Sequence, residues 1–395
     1  MSPFRNRRLL SLTFAHFMVD FYSGALPLLI AAQTAPLALD ERQIGLVAFA
    51  NRLTASLPQP LFGPLADRAR APLLALAGIF WQAVFFGLAG FSRRYETFLL
   101  LATIAGFGSA AFHPPGAGGV PRVSPRSQRN GSMGVFLVGG TMGYAVGPLV
   151  AGFAFAALGP HGTALFVLGA LLASPVLVLS LRRLRYEAGT LEAASEAGPE
   201  DGGQISSLAA LPLGLLALLV VFRSWVIMSM STYLPQYVLQ QGAGLVFGGN
   251  ISFAFLIAAA VGNLAAGFLS DRVGRLNVTL LSLLASGPLL YLMLRTGGVG
   301  IFAFAFVLGL CLHASMPLTL LMAQEVMPDR PGVITGFTLG FTFVAGGVGV
   351  AITGVIAEQI GLVATLNWLA VLPLLGALST AALAVVERQP RPATG

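Results

Sequence analysis

The chain contains no lysine and one cysteine, and 9% of its 395 residues are charged, where a soluble domain has about a quarter. Without lysine there is no GxxxxGK[ST] phosphate loop, which excludes a nucleotide-driven pump. The HExxH zinc pair, the GxGD aspartate and the GxSxG nucleophile turn are also missing, which argues against an intramembrane hydrolase. Cys311 lies in an apolar stretch with no second thiol to meet, so an intrachain disulfide cannot form and its expected role is packing. Nothing in the composition calls for a cofactor or a metal.

What is present is apolar. Hydrophobic residues make up 56% of the chain, in runs of about 17 to 25 that suit a hydrocarbon layer about 30 Å thick, where a helix satisfies its own backbone. Twelve such runs are read: Leu9 to Gln33, Ile44 to Leu65, Leu73 to Phe91, Phe98 to Val120, Ser132 to Leu158, Thr163 to Leu181, Leu208 to Leu239, Leu245 to Leu269, Val278 to Leu294, Val299 to Met322, Val333 to Ile356 and Leu362 to Val386. Arg5, Arg7 and Arg8 ahead of the first run imitate a secretory leader, but the run has no small-residue cleavage site and reads as a retained helix.

All 22 basic residues are arginine. With the N-terminus inside, sixteen of them (Arg5, Arg7, Arg8, Arg68, Arg70, Arg122, Arg126, Arg129, Arg182, Arg183, Arg185, Arg272, Arg275, Arg330, Arg388 and Arg391) fall on the cytoplasmic side. Arg42, Arg93, Arg94 and Arg295 fall outside. The bias predicts cytoplasmic termini in the inner (plasma) membrane. It also accounts for the net charge of +7 through contact with anionic membrane lipid, without requiring nucleic acid.

The longest polar stretch, Arg182 to Ser207, is basic and then acidic and reads as a flexible linker. It divides the chain into a six-helix bundle over 1–181 and a second over 208–395. The halves repeat. Gly63, Asp67 and Arg68 recur as Gly267, Asp271 and Arg272 at an offset of 204, and Gly106 and Pro114 recur as Gly309 and Pro317 at 203. Gly134, Gly147, Gly152 and Gly159 recur as Gly336, Gly349, Gly354 and Gly361 at 202. A duplicated membrane protein of this size is expected to place its substrate site between the halves near the bilayer midplane.

Three motifs carry a resemblance. The loop Gly267-Phe268-Leu269-Ser270-Asp271-Arg272-Val273-Gly274-Arg275 is one, and its first-half copy Gly63-Pro64-Leu65-Ala66-Asp67-Arg68-Ala69-Arg70 has arginine in place of the glycine. The fifth span carries Gly134, Gly143, Gly147-Pro148 and Ala151-Gly152. Together they resemble the major facilitator superfamily, whose loop signature and antiporter signature these are, and the resemblance covers the whole chain. A narrower likeness, to the fosmidomycin-resistance branch of drug exporters, rests on His16-Phe17-Met18-Val19-Asp20, on Gln43-Ile44-Gly45 through Gln59-Pro60, and on Phe112-His113-Pro114. The fourth-span arginine of many drug–proton antiporters is absent, with Ala102 four residues before Gly106. The resemblance implies an all-α membrane protein of twelve transmembrane helices in two pseudo-symmetric bundles. Gating falls to Gly63, Asp67, Arg68, Gly267, Asp271, Arg272, Gly274 and Arg275, and to Gly134, Gly143, Gly147, Pro148 and Gly152.

Ionisable groups at bilayer depth are costly and mark function by default. Asp20 is eleven residues into the first span, Arg52 eight residues in from the outer end of the second, at Ile44, and Arg223 fifteen residues into the seventh, so all three lie near mid-membrane. An Asp20–Arg52 ion pair is expected, which leaves Arg223 to meet an anionic or zwitterionic substrate. His16 shares a helix face with Asp20 and makes it the proton carrier of choice. His113 and His313 read as packing histidines or substrate contacts. Tyr22, Tyr144, Trp225, Tyr233 and Tyr237 are aromatic candidates for the cavity wall, and Gln59, Asn250 and Asn263 polar ones. The reading is a monomeric secondary transporter that exports a small organic molecule or drug against protons by alternating access. A proton-coupled importer or an uncoupled facilitator of a small organic anion is the alternative.

Overall fold

The computed structural model describes residues 3–66, 71–182, 207–326 and 331–388, and their regular elements are all helical. The first half contains α1 (Arg7–Leu37), α2 (Glu41–Ser56), α3 (Gln59–Ala66), α4 (Ala71–Ala89), α5 (Tyr95–Val123), α6 (Arg129–Leu158) and α7 (Thr163–Arg182). The second contains α8 (Ser207–Gln240), α9 (Leu245–Val273), α10 (Arg275–Met293), α11 (Gly300–Val326), α12 (Pro331–Ile360), α13 (Leu362–Leu369) and α14 (Val371–Arg388). Asp67, Arg68 and the polar stretch over 183–206 lie outside the described residues.

Among the described residues fourteen α-helices make twelve spans, because two spans are broken. The second divides into α2 and α3 around Leu57 and Pro58. Pro58 and Pro60 each lack an N–H and crowd the carbonyl one turn back, which weakens the helix where it breaks. The twelfth divides at Ala370, with Pro373 in the first turn of α14, where proline is tolerated. Among the described residues ten stretches are long and apolar enough to cross a membrane. One of these, Gly131–Leu179, is α6 and α7 in series, and the broken second span is not among them. Side chains such as Leu61, Leu172 and Leu264 stand exposed, as a lipid-facing surface requires.

Two compact units form: Met1–Gly202 with Thr232–Phe253, and Gly203–Ser231 with Ala254–Gly395. In the first, glycines of α6 lie directly on the backbone of α1. A Cβ at Gly139, Gly143 or Gly147 would stand 2.4, 2.1 or 2.2 Å from the carbonyl oxygen of Thr13, Phe17 or Phe21. The four-residue spacing on both helices makes a ridge-to-ridge seam in which main chains touch. In the second unit α12 approaches α8 in the same way, with Gly346 against Ser224 and Met228 and Gly349 against Trp225. The α2–α5 contact uses Gly106 against Asn51 and Thr54, and α9–α11 uses Gly309 against the Phe255 carbonyl. At the repeat pairs Gly106 and Gly309, and Gly147 and Gly349, the sequence repeat is therefore a repeat of close-packing devices.

The last turns of α8 belong to the first unit through polar contacts. The Tyr233 hydroxyl donates to the Glu41 carbonyl at 2.9 Å, the Gln236 amide to the Thr34 hydroxyl at 2.8 Å and the Gln240 amide to the Glu41 carboxyl at 2.7 Å. The other Glu41 oxygen is buried without a partner. Burial pushes the Glu41 carboxyl above its ordinary range, opposed by the Gln240 bond and reinforced by Asp40. A carboxyl raised in the fold favours the folded state below its unfolded value, about 4.3, and that contribution is lost as pH rises through the folded value. Glu41→Gln keeps an acceptor for Gln240 and removes the charge. It is expected to raise thermal stability by about 1–2 °C at pH 7.5 and to leave it unchanged at pH 4. A lower melting temperature at pH 7.5 in a thermal unfolding scan contradicts this.

Candidate functional site

Asp20 is held by two imidazoles from two helices. His16, one turn earlier on α1, brings Nε2 to 3.2 Å from one carboxylate oxygen, and His113 on α5 brings its Nε2 to 3.6 Å from the other. The Nδ1 of His16 lies 2.9 Å from the Phe136 carbonyl of α6, and the Nδ1 of His113 lies 2.8 Å from the Ser109 carbonyl. A carbonyl only accepts, so Nδ1 of His16 carries the hydrogen, and Nδ1 of His113 does so in the tautomer that serves the Ser109 carbonyl, with the Ser109 hydroxyl at 3.2 Å from the same nitrogen. Each Nε2 is then bare in a neutral ring and protonated only in an imidazolium. A bare Nε2 cannot donate to a carboxylate, so the cluster is satisfied only when it holds at least one extra proton, on the carboxyl or on a ring.

The surroundings hold the three groups in place. His16 is 5% exposed, stacks on Phe136 with ring centroids 4.2 Å apart and meets the His113 ring edge-on at 5.3 Å. Gly140 makes the room. A Cβ there would stand 2.4 Å from His16 Nε2 and 2.6 Å from an Asp20 oxygen. Sequence reasoning missed Gly140 and read His113 as a packing residue or a substrate contact, without joining it to Asp20. The available signal was the Gly139-Gly140 doublet ahead of Gly143.

Arg52 departs from the expected pairing. Its guanidinium donates to the Tyr144 hydroxyl and lies 5.0 Å from the centre of that ring. Asp20 feels Arg52 through its field, but its contact partners are the two histidines. The physical reason is reach. His16 is one turn away on the same helix, while the seam set by Gly143 and Gly147 brings Tyr144 to Arg52. The position of the missing fourth-span arginine, Ala102, is buried and its carbonyl accepts from the Asn51 amide at 2.8 Å.

Other candidates scatter. Tyr22 is buried, donates to the Phe166 carbonyl at 3.1 Å and packs on Phe86, so it ties α1 to α4 and α7. Gln59 donates to the Ala55 carbonyl across the break in the second span. Tyr233 is committed to Glu41, Tyr237 is buried, and Asn250 is half-buried on α9. In the second unit, Trp225 donates to the Thr353 hydroxyl at 2.8 Å and lines an apolar cavity of about 390 Å³ with Ile356, Thr365 and Trp368. Asn263 has a buried oxygen without a partner. Arg223 is buried, and His313, which is buried beside it, bonds the Gly309 carbonyl at 2.8 Å.

The motif residues also separate. Gly274 has φ 88° and ψ 148° at the start of α10, a conformation open in practice to glycine alone. Arg275 pairs with Glu325 of α11, while Asp271, Arg272 and Gly267 are exposed. A Cβ at Gly63, Gly134 or Gly267 meets nothing within 4 Å. Gly152 and Gly249 pack where α6 meets the start of α9, with Pro148 offering its carbonyl to that contact.

Residues 9–251 and 243–395 match the model of the family described as Major Facilitator Superfamily. The chain is 29% identical over 378 residues to the fosmidomycin resistance protein of Escherichia coli (strain K12), covering 93% of this chain and 91% of that one. It is 27% identical over 381 residues to the uncharacterized MFS-type transporter YfnC of Bacillus subtilis (strain 168), covering 92% and 90%. Among solved structures, a bacterial homologue of the human lysosomal transporter Spinster, in an inward-facing and occupied conformation, superposes with a TM-score of 0.82 at 14% identity over the whole of both chains.

Proposed function

Because the chain belongs to the major facilitator superfamily, a family of small-molecule transporters, we propose that it exports a small organic molecule or drug in exchange for protons. The observation that carries the reading is the half-buried Asp20 between two imidazoles whose Nδ1 hydrogens are already spent on main-chain carbonyls. Such a cluster holds one labile proton at mid-membrane, and releasing that proton from the cluster to water changes the charge presented to the cavity. The printed name of the Escherichia coli relative, a resistance protein, supports export as the direction.

In this reading the six-helix bundles span 1–181 and 208–395, the termini are cytoplasmic by the arginine bias, and the monomer sits in the inner membrane with anionic lipid at its basic face. Asp20 and His16 carry the proton. Arg52 and Tyr144 form a neighbouring polar wall, and the loop around Asp271 and the seam glycines Gly143 and Gly147 serve the gate. Export runs on the proton gradient, since the sequence carries no phosphate loop for a nucleotide.

The test is proton release. Fosmidomycin, taken from the relative's printed name, is added to purified protein in weak buffer with a pH dye. An exchanger is expected to release close to one proton per bound molecule. Binding without any proton movement overturns the coupling and leaves an uncoupled facilitator.

A further inference from the structure

Among the described residues, the second unit buries a cation with no anion to meet it. Arg223 is 1% exposed, its Nη1 donates to the Thr319 hydroxyl of α11 at 3.0 Å, and its Nε is buried with no partner. Thr319 donates in turn to the Ser315 carbonyl at 2.6 Å, so its hydroxyl oxygen is turned to accept from the guanidinium. Among the described residues no carboxylate lies within ion-pair distance of Arg223. His313 of the same α11 lies within the electrostatic reach of Arg223 and bonds the Gly309 carbonyl at 2.8 Å. Burying one unmatched charge costs several kcal/mol, and neither a helix cap nor a surface contact compensates for it at this depth.

The position has a counterpart. Arg223 stands 203 residues after Asp20, the offset that relates the fourth and tenth spans. The first span of one half thus carries an anion and the first span of the other half a cation. Arg223 is also the middle of the 34-residue α8, about 24 Å along the helix from its start. A bilayer phosphate does not reach that depth, so the missing anion is small and diffusible.

We propose that Arg223, with Thr319 and His313, forms an oxyanion subsite for the carboxylate or phosphonate group of the cargo. The free Nε edge of the guanidinium supplies the planar fork that such groups accept in bidentate fashion. This deepens the small-molecule carrier reading and rests on it, but it does not depend on proton coupling.

The test is equilibrium binding to the purified full chain without a gradient, by calorimetry, with hexanoate, hexylphosphonate, hexanol and hexylammonium as probes. Both anions are expected to bind, and the alcohol and the cation are not. Arg223→Lys should weaken the anions about 10-fold, because the point charge stays and the fork is lost, and Arg223→Met about 100-fold. Proton release into weak buffer is read alongside affinity on the parent, so that a failed subsite shows as lost anion binding and failed coupling as binding without proton release. Arg223→Met should also match or exceed the parent in thermal stability, since it removes an unmatched buried charge. The proposal is overturned if the anions do not bind, if hexanol binds as well, or if Arg223→Met keeps its affinity. It is equally overturned if Arg223→Met unfolds, which makes the residue structural, or if dihexanoylphosphatidylglycerol displaces the probes, which assigns the cation to lipid.

Discussion

Asp20→Asn is expected to bind substrate within about threefold of the parent and to lose uphill transport by about 100-fold, to the level of empty vesicles. Asparagine has the shape of the protonated carboxyl and fills the same space between His16 and His113. Its amide can donate to one bare Nε2. It cannot take up or give away a proton, so the cluster is frozen in its neutral state. Downhill movement of substrate survives because the neutral state is one of the two through which the cycle passes. The measurement is transport into inverted vesicles with and without an imposed pH gradient. If the Asp20→Asn variant builds the parent's substrate gradient, and loses it when the pH gradient is collapsed, the proton carrier lies elsewhere.

The second large effect concerns packing. Gly143→Ala is expected to abolish transport and to leave little monodisperse protein after extraction, while Gly134→Ala, nine residues away in the same motif, is expected to be silent. The added Cβ at 143 would stand 2.1 Å from the Phe17 carbonyl, and the one at 134 meets nothing within 4 Å. Ordinary contact begins at 3.4 Å, so α1 and α6 must part by more than 1 Å. Overpacking of this kind costs about 1–3 kcal/mol, and here it also moves the wall that holds His16. Gly134→Ala should instead gain about 0.5–1 kcal/mol of helix propensity. Fluorescence-detected size exclusion and a transport assay on both variants decide the matter. Equal yield and activity from the two would mean that the α1–α6 seam is looser than the structure shows.

Much of this was legible in the residues alone. Spans of this length and apolarity have few alternatives in lipid, and the offsets near 203 disclose the two halves. Asp20 and His16 were legible because one turn of helix joins them. Helical spacing could not bring His113 to Asp20, since 93 residues separate them and only the α1–α5 contact closes the distance. The same holds for Arg52, whose depth matched that of Asp20 but whose direction pointed to Tyr144. The break in the second span was written in Pro58 and Pro60, yet an apolar run that long reads as one helix until the backbone is traced.

The sequence by itself therefore determined the solvent of this fold, the number of its spans, its duplication and the few ionisable groups that lipid would have to tolerate. These depend on composition, period and the cost of charge, all of which are properties of a strip of chain. The tertiary structure alone decided which glycines carry main-chain contacts, which histidine completes the carboxylate cluster and that Arg52 meets Tyr144. Those are matters of which helix faces which, and distances between helices are set by packing that no single strip contains.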